Sequence, residues 1–162
     1  MARPLLLTGG PAAGKSTVAA ALARTRAPSA FIDVDDIRQL VVGGHAAPWE
    51  GAPGARQQQL GVQNSCALAR NFRAEGIDVV LTDVVTDRTA AMYRAQLPGL
   101  RIIWLDLDPD EARRRAGTRP MHLSWAEFAT LHEEHRALTT FDERIDVTAL
   151  SVPAVLERIA WS

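Results

Sequence analysis

Between Leu5 and Thr17 the chain passes from apolar run to glycine turn to helix, and no other stretch limits its possible folds so strongly. Leu5-Leu6-Leu7 is a short apolar segment, Val18-Ala19-Ala20-Ala21-Leu22-Ala23 is helix-forming, and G-x-x-x-x-G-K-S lies between them from Gly9 to Ser16. Gly9 and Gly14 let the backbone curl until successive N–H groups point inward at an anion. The helix that starts near Lys15 adds unpaired N–H groups and the positive end of its dipole. Lys15 has the reach for the β- and γ-phosphates of a nucleoside triphosphate, and the Ser16 hydroxyl suits Mg²⁺. Gly9, Gly10, Pro11, Ala12, Ala13, Gly14, Lys15, Ser16 and Thr17 are therefore read as the nucleotide-binding residues. Among 18 lysines and arginines Lys15 is the one lysine, so a chain that elsewhere uses the planar guanidinium keeps a compact ammonium here.

The rest of the chain alternates apolar strands with helices. Ala30 to Asp35 reads as a buried strand that ends in carboxylates, followed by a brief helix over Asp36–Val42. The Gly- and Pro-rich stretch from Gly43 to Gly54 reads as a mobile loop over a site. A long helix is expected from Arg56 to Glu75 with Gly76 as its stop, and Ile77 to Asp83 gives a third strand. Thr89–Leu97 is a short helix and Arg101–Leu107 a fourth strand. Asp108 caps a helix with Pro109 in its first turn, and Ser124-Trp125-Ala126-Glu127 is a capping box that opens another helix to about Leu138. Arg144–Thr148 reads as an edge strand and Val152–Trp161 as a terminal helix. Five strands separated by helices predict a three-layer α/β fold around a mostly parallel sheet, with ligands beyond the carboxyl ends of the strands.

Composition narrows the function classes. The 162 residues fit one domain, with about two-thirds of the unfolded surface buried. A formal net charge of −1 provides no general field for a long nucleic acid, so an extended nucleic-acid partner is disfavoured. The single cysteine, Cys66, excludes an internal disulfide and reads as a buried small hydrophobe. No apolar run approaches the length of a membrane span and no leader precedes Leu5, so the expectation is a cytoplasmic protein with no membrane partner. Oligomeric state is open.

Asp33, Asp35 and Asp83 fall at strand ends on the side where the phosphate loop opens. In an extended strand Asp33 and Asp35 share a face, and Mg²⁺ relieves the repulsion between two such acids. Asp33, Asp35 and Asp36 are thus candidates for the rest of the Mg²⁺ site, beside Ser16, and for a base or positioning group toward an acceptor hydroxyl. Asp36 is either functional or a helix cap. Asp83 either assists Mg²⁺ through water, contacts the acceptor, or opens a turn. Arg113, Arg114, Arg115 and Arg119 form the densest basic cluster. Arg115 and Arg119, four apart, are the pair that converges if the helix continues between them, and the alternative is a solvated face. His45 and Trp49 lie in the loose loop. Trp49 either stacks on a ring or anchors the loop, and His45 is structural or shapes an acceptor pocket.

Gly9–Thr17, Asp33-Val34-Asp35-Asp36-Ile37-Arg38 and Asp108-Pro109 through Arg115 to Arg119 together resemble the small P-loop kinases. These include chloramphenicol phosphotransferase-like and polynucleotide 5′-kinase-like members, with gluconate and shikimate kinases more distant. The resemblance implies a P-loop NTPase fold with a five-stranded parallel sheet of order 2-3-1-4-5. It also implies one domain over 1–162 with a helical lid at about 113–122, and ATP and Mg²⁺ as cofactors. It assigns the base role to Asp35, acceptor binding to Arg38, and phosphate contacts to Arg115 and Arg119 on the lid. Asp83 resembles the third-strand aspartate of the group, whereas the Gly43–Gly54 loop matches none of its substrate motifs. The resulting expectation is a kinase in which Lys15, Asp35, Arg115 and Arg119 are catalytic, and Asp35, Arg38, His45, Trp49 and Asp83 hold a small-molecule hydroxyl acceptor. The alternatives are a nucleoside, nucleotide or polynucleotide 5′-hydroxyl acceptor, or a nucleotide-dependent switch without transfer.

Overall fold

Every strand runs parallel to its neighbours, and the alternation of side chains across the pleat sends one apolar set to each face. In the computed structural model, which describes residues 1–118 and 123–162, the order is β1 (Leu5–Thr8), α1 (Lys15–Arg24), β2 (Ser29–Asp33), α2 (Val34–Gln39), α3 (Gly51–Ala74) and β3 (Asp78–Thr82). α4 (Asp87–Gln96), β4 (Arg101–Asp106), α5 (Pro109–Ala116), α6 (Trp125–Arg136), β5 (Glu143–Asp146) and α7 (Val152–Arg158) follow. The five strands form one sheet in the order β2-β3-β1-β4-β5. This is the expected fold of P-loop kinases, and the 2-3-1-4-5 order holds.

Register explains the two-sided core. Leu5 lies beside Val80, which lies beside Phe31, and all three turn toward the layer that contains α1 and α7. Leu6 lies beside Leu81 and Ile102, and these turn to the opposite layer with Val62, Cys66 and Ala69 of α3 and Ala90 and Tyr93 of α4. Parallel strands covered on both faces have near-continuous apolar sequences, as Leu5-Leu6-Leu7 and Val79-Val80-Leu81 do. Cys66 is fully buried, as expected of a small hydrophobe, and burial pushes its thiol up to about 11. Among the described residues no helix is long and apolar enough to cross a membrane.

Several element boundaries differ from the sequence expectation, and two of them bear on the site. β2 stops at Asp33, whose side chain accepts a hydrogen bond from the Asp35 N–H at 3.1 Å and caps α2. Asp35 therefore sits in the first turn of a helix, and it does not share a strand face with Asp33. The acid spacing hid the true cap: Asp33 offers the preferred carboxylate, and Asp35 and Asp36 then fall at the positive helix end. α3 begins at Gly51, so Pro53 and Gly54 are helical, where a loop was expected to Gly54. Proline is tolerated there because a first-turn N–H has no intrahelical partner. Gly54 is required because a Cβ would meet the Ala47 carbonyl oxygen at 1.9 Å, where the preceding loop folds against the helix.

That loop is also tied down, contrary to a freely mobile cover. The Gln57 side chain donates to the Gly44 carbonyl at 2.7 Å and accepts from the Ala46 N–H at 2.8 Å. Glu50 accepts from the Ala47 N–H at 2.5 Å. Of the segment expected to form a lid, residues 113–116 close α5, and positions 119–122 lie outside the described residues.

Candidate active site

β1 ends at Thr8 and α1 begins at Lys15, so the phosphate loop bridges the sheet's carboxyl edge and a helix N-terminus. Gly14 has φ +83° at the helix cap, and Ala12, a non-glycine, is held at φ +66°. Positive φ at alanine is a strained conformation that a surrounding fold must impose, and such residues concentrate at ligand clamps. The half-buried Lys15 ammonium donates to the Gly9 carbonyl at 2.9 Å and the Gly10 carbonyl at 3.1 Å. Burial lowers its pKa, while Asp35, Asp83 and Asp33 nearby pull it back up. Exposed Ser16 donates through Oγ to Asp33 Oδ2 at 2.7 Å. A hydroxyl and a carboxylate at one point suit Mg²⁺, which takes few protein oxygens and keeps its other positions for phosphate and water. Among the described residues no cluster of three His, Cys, Asp or Glu is placed to hold a metal ion.

Two histidines absent from the sequence expectation grip the loop from α6. His132 Nε2 lies 3.0 Å from the Pro11 carbonyl oxygen, which only accepts, so this contact uses the Nε2–H tautomer. Its ring occupies the place of a side chain at residue 10: a Cβ on Gly10 would lie 2.6 Å from His132 Cε1. His135 Nε2 meets Thr8 Oγ1 at 2.9 Å, and Thr8 Oγ1 also accepts from the Val85 N–H at 3.2 Å. His135 is 3% exposed and packs edge-on against Trp104, and burial lowers its pKa to about 3. The ring is therefore neutral at physiological pH. The available signal was the spacing of Phe128, His132 and His135, which share one face of α6 with Leu131.

On the other side of the loop Arg38 is the central residue. One guanidinium nitrogen donates to Asp83 Oδ1 at 3.0 Å, and the other makes a close ion pair with Asp35. Asp83 Oδ1 also accepts from the Val84 N–H at 2.8 Å, and Oδ2 accepts from the Tyr93 hydroxyl at 2.8 Å. Burial pushes the Asp83 carboxyl up, and Arg38 and Tyr93 draw it back toward the ionised form. Arg38 is in turn held in its charged form chiefly by Asp83 and Asp35 against the cost of burial. Room for its stem comes from Gly61 on α3, where a Cβ would meet Arg38 Cγ at 2.8 Å.

A cavity of about 900 Å³ joins these two ends. Lys15, Asp35 and Arg38 line its reacting side, and His45 and Trp49 from the tied loop line another. Val85, Leu131 and Leu138 give it an aliphatic wall, and Arg88 stands at the start of α4. The structure thus brings together Lys15, Asp35, Arg38, His45 and Trp49 around one space. It does not bring Asp83 to that space: its side chain is 1% exposed and fully engaged beneath Arg38. The acceptor contact expected of Asp83 is corrected to a support for Arg38. Arg115 does not line the cavity either. Its guanidinium bonds Glu111 at 2.8 Å and the Val147 and Thr148 carbonyls at 3.3 and 3.2 Å. Arg119 lies outside the described residues.

Comparison with known proteins places this geometry. No curated protein matches the chain in sequence. Among solved structures, a sugar kinase from Janibacter sp. HTCC2649 superposes with a TM-score of 0.77 at 15% identity, over 98% of this chain and 92% of that one. Shikimate kinase from Aquifex aeolicus gives 0.65 at 18% identity, over 96% and 92%. A gluconokinase from Sinorhizobium meliloti 1021 gives 0.59 at 19% identity, over 96% and 87%. At these identities the likeness is one of fold. Sequence carries the family assignment: the AAA domain family matches residues 5–143, which span the phosphate loop, the Arg38 network and α6. The chain belongs to the AAA domain family.

Proposed function

We propose that this protein is an ATP- and Mg²⁺-dependent kinase that transfers the γ-phosphate to a hydroxyl of a small molecule. The observation that carries the reading is the shared cavity, with Lys15 of the phosphate loop on one side and the Asp35–Arg38 pair on the other. A nucleotide-hydrolysing switch needs the first end and has no use for a carboxylate–arginine pair facing it. That the superposable sugar, shikimate and gluconate proteins are all kinases supports the same reading.

In this reading the loop amides from Gly9 to Thr17 and the Lys15 ammonium bind the triphosphate. Ser16 and Asp33 would hold Mg²⁺, which would supply positive charge to the phosphates. The acceptor hydroxyl lies against Asp35, and Arg38 fixes the orientation of that carboxylate. As the acceptor oxygen bonds to the γ-phosphorus, the bond from that phosphorus to its bridging oxygen breaks and the hydroxyl proton passes to Asp35. Lys15 and the loop amides stabilise the negative charge left on the diphosphate. His45 and Trp49 shape the acceptor's surroundings. Arg115 and Arg119 are the lid cations, and Arg115 reaches the transferring group by exchanging Glu111 and the Val147 and Thr148 carbonyls for it. The chain acts as one domain, with that lid at about 113–122.

Asp35→Asn tests the assignment. Transfer is expected to fall about 10²-fold or more, with nucleotide affinity nearly unchanged. Transfer at the parent rate would remove Asp35 as base. The acceptor is identified by a coupled ADP-release screen over antibiotics, sugars, nucleosides and 5′-hydroxyl oligonucleotides. The Asp35-Asp36-Ile37-Arg38 segment, with Arg38 at the cavity wall, favours the last two classes as the second reading. Lack of acceptor-stimulated turnover with every class would turn the assignment to a nucleotide-dependent switch.

A further inference from the structure

Tyr93, the one tyrosine of the chain, is fully buried, and among the described residues its hydroxyl has a single partner, the carboxylate beneath Arg38. We propose that Tyr93 is a positioning residue for the acceptor end of the site: by holding Asp83 Oδ2 it fixes how that carboxylate is turned, with Oδ1 toward one Arg38 nitrogen, so the second guanidinium nitrogen is kept for Asp35. This deepens the kinase reading and rests on it for its catalytic consequence.

Asp83 is buried, so both of its oxygens need hydrogen bonds from the protein. Oδ1 receives Arg38 Nη1 and the Val84 N–H, and Oδ2 receives the Tyr93 hydroxyl. An arginine beside an unoccupied carboxylate tends to engage both oxygens with two nitrogens, because fork and carboxylate match in geometry. Here the Tyr93 hydroxyl on Oδ2 and the Val84 N–H on Oδ1 fix the rotation of the carboxylate, and Arg38 meets Oδ1 alone. Arg38 Nη2 therefore points away, to Asp35, whose side chain is 58% exposed and lines the cavity. Tyr93 suits the task because its phenol stays protonated: burial and the neighbouring Asp83 charge hold its pKa well above the ordinary value. Tyr93 sits on α4 and Arg38 on α2, while Asp83 follows β3. The chain from Arg38 through Asp83 to Tyr93 thus ties two helices to the sheet edge that carries the site.

The deciding variant is Tyr93→Phe, which keeps the ring and removes the donor. Asp83 Oδ2 then lacks a partner, and Arg38 is expected to close on both Asp83 oxygens and leave Asp35. Guanidinium ¹⁵N NMR of the intact protein reads this directly: the Arg38 Nη signals shift and the contact with Asp35 disappears. In acceptor-dependent transfer, kcat is expected to fall at least about five-fold with the nucleotide KM unchanged. In an Arg38→Lys background, which keeps the charge and loses the fork, Tyr93→Phe is expected to change kcat less than two-fold. Its effect on unfolding temperature should persist in both backgrounds. Unchanged Arg38 signals in Tyr93→Phe would overturn the proposal, as would an equal kcat loss in both backgrounds. If the parent shows no transfer to any acceptor, the kinase reading fails, while the NMR comparison still decides whether Tyr93 directs Arg38.

Discussion

The donor and acceptor ends of the cavity are built in different ways. The donor end is backbone: amides of a short loop, a helix terminus, and one lysine folded onto the carbonyls of Gly9 and Gly10. The acceptor end is a stack of side chains from separate elements, with Arg38 on α2, Asp83 after β3, Tyr93 on α4 and a gap left by Gly61 on α3. The first arrangement keeps its geometry through local chain stiffness. The second depends on a buried, fully engaged polar network, where the loss of one member leaves another unpaired. A site divided in this way should divide its responses to mutation as well.

Charge removal should separate the two ends most widely. Arg38→Ala leaves the Asp83 carboxylate buried without its cation, and breaking such a pair costs about 3–5 kcal/mol, measurable by urea unfolding. Lys15→Met should leave the unfolding midpoint at or above that of the parent, because burial already disfavours the ammonium. Its transfer rate should nevertheless fall about 10²–10³-fold, as for loss of one preorganised charge-stabilising donor. An Arg38→Ala protein as stable as the parent would erase the distinction.

The donor end also has tertiary supports, among them the clasp from α6. Gly10→Ala drives a methyl into the His132 ring, and overpacking of this kind costs about 1–3 kcal/mol. Nucleotide affinity, read by calorimetry, should weaken, and His132→Ala in the same chain should restore it. Failure of that rescue would make the loop independent of α6.

His135 provides a pH test of the same clasp. Its pKa is about 3 in the folded protein against 6.5 ordinarily, so between these values the unfolded chain binds the proton and the folded chain does not. The stability of the neutral ring is complete above pH 6.5 and is lost as pH falls toward 3, with a slope of up to about 1.4 kcal/mol per pH unit. His135→Gln should flatten that slope in unfolding curves taken from pH 7 to 4. The smallest effect belongs to the loop over the acceptor end. Gln57→Ala removes two hydrogen bonds to it at about 1 kcal/mol each, and should raise the acceptor KM with the nucleotide KM unchanged.

The same division marks what was legible in the chain. Gly9 through Thr17 were readable because loop, strand and helix follow one another within a few residues. Ser16 and Asp33 were readable as partners because a strand end and a phosphate loop meet at the same sheet edge. Asp35 was found for a partly wrong reason: extended-strand alternation would put it beside Asp33, whereas the Asp33 cap starts a helix one residue later. Asp83 was singled out, but its strand-end position did not reveal that Tyr93, Val84 and Arg38 would engage both of its oxygens. Gly61 and Gly54, which look like weak points in a helix, mark close approaches of Arg38 and Ala47.

By itself the sequence determined the phosphate loop, the parallel α/β layering and the chemical character of both ends, because these follow from short-range spacing and strand periodicity. Tertiary structure decided which side chains meet. His135 finds Thr8 across 127 positions, and Arg38 finds Asp83 across 45. Such pairs depend on sheet order, register and helix packing, which arise from the summed burial of two apolar faces. No spacing between neighbouring residues encodes them.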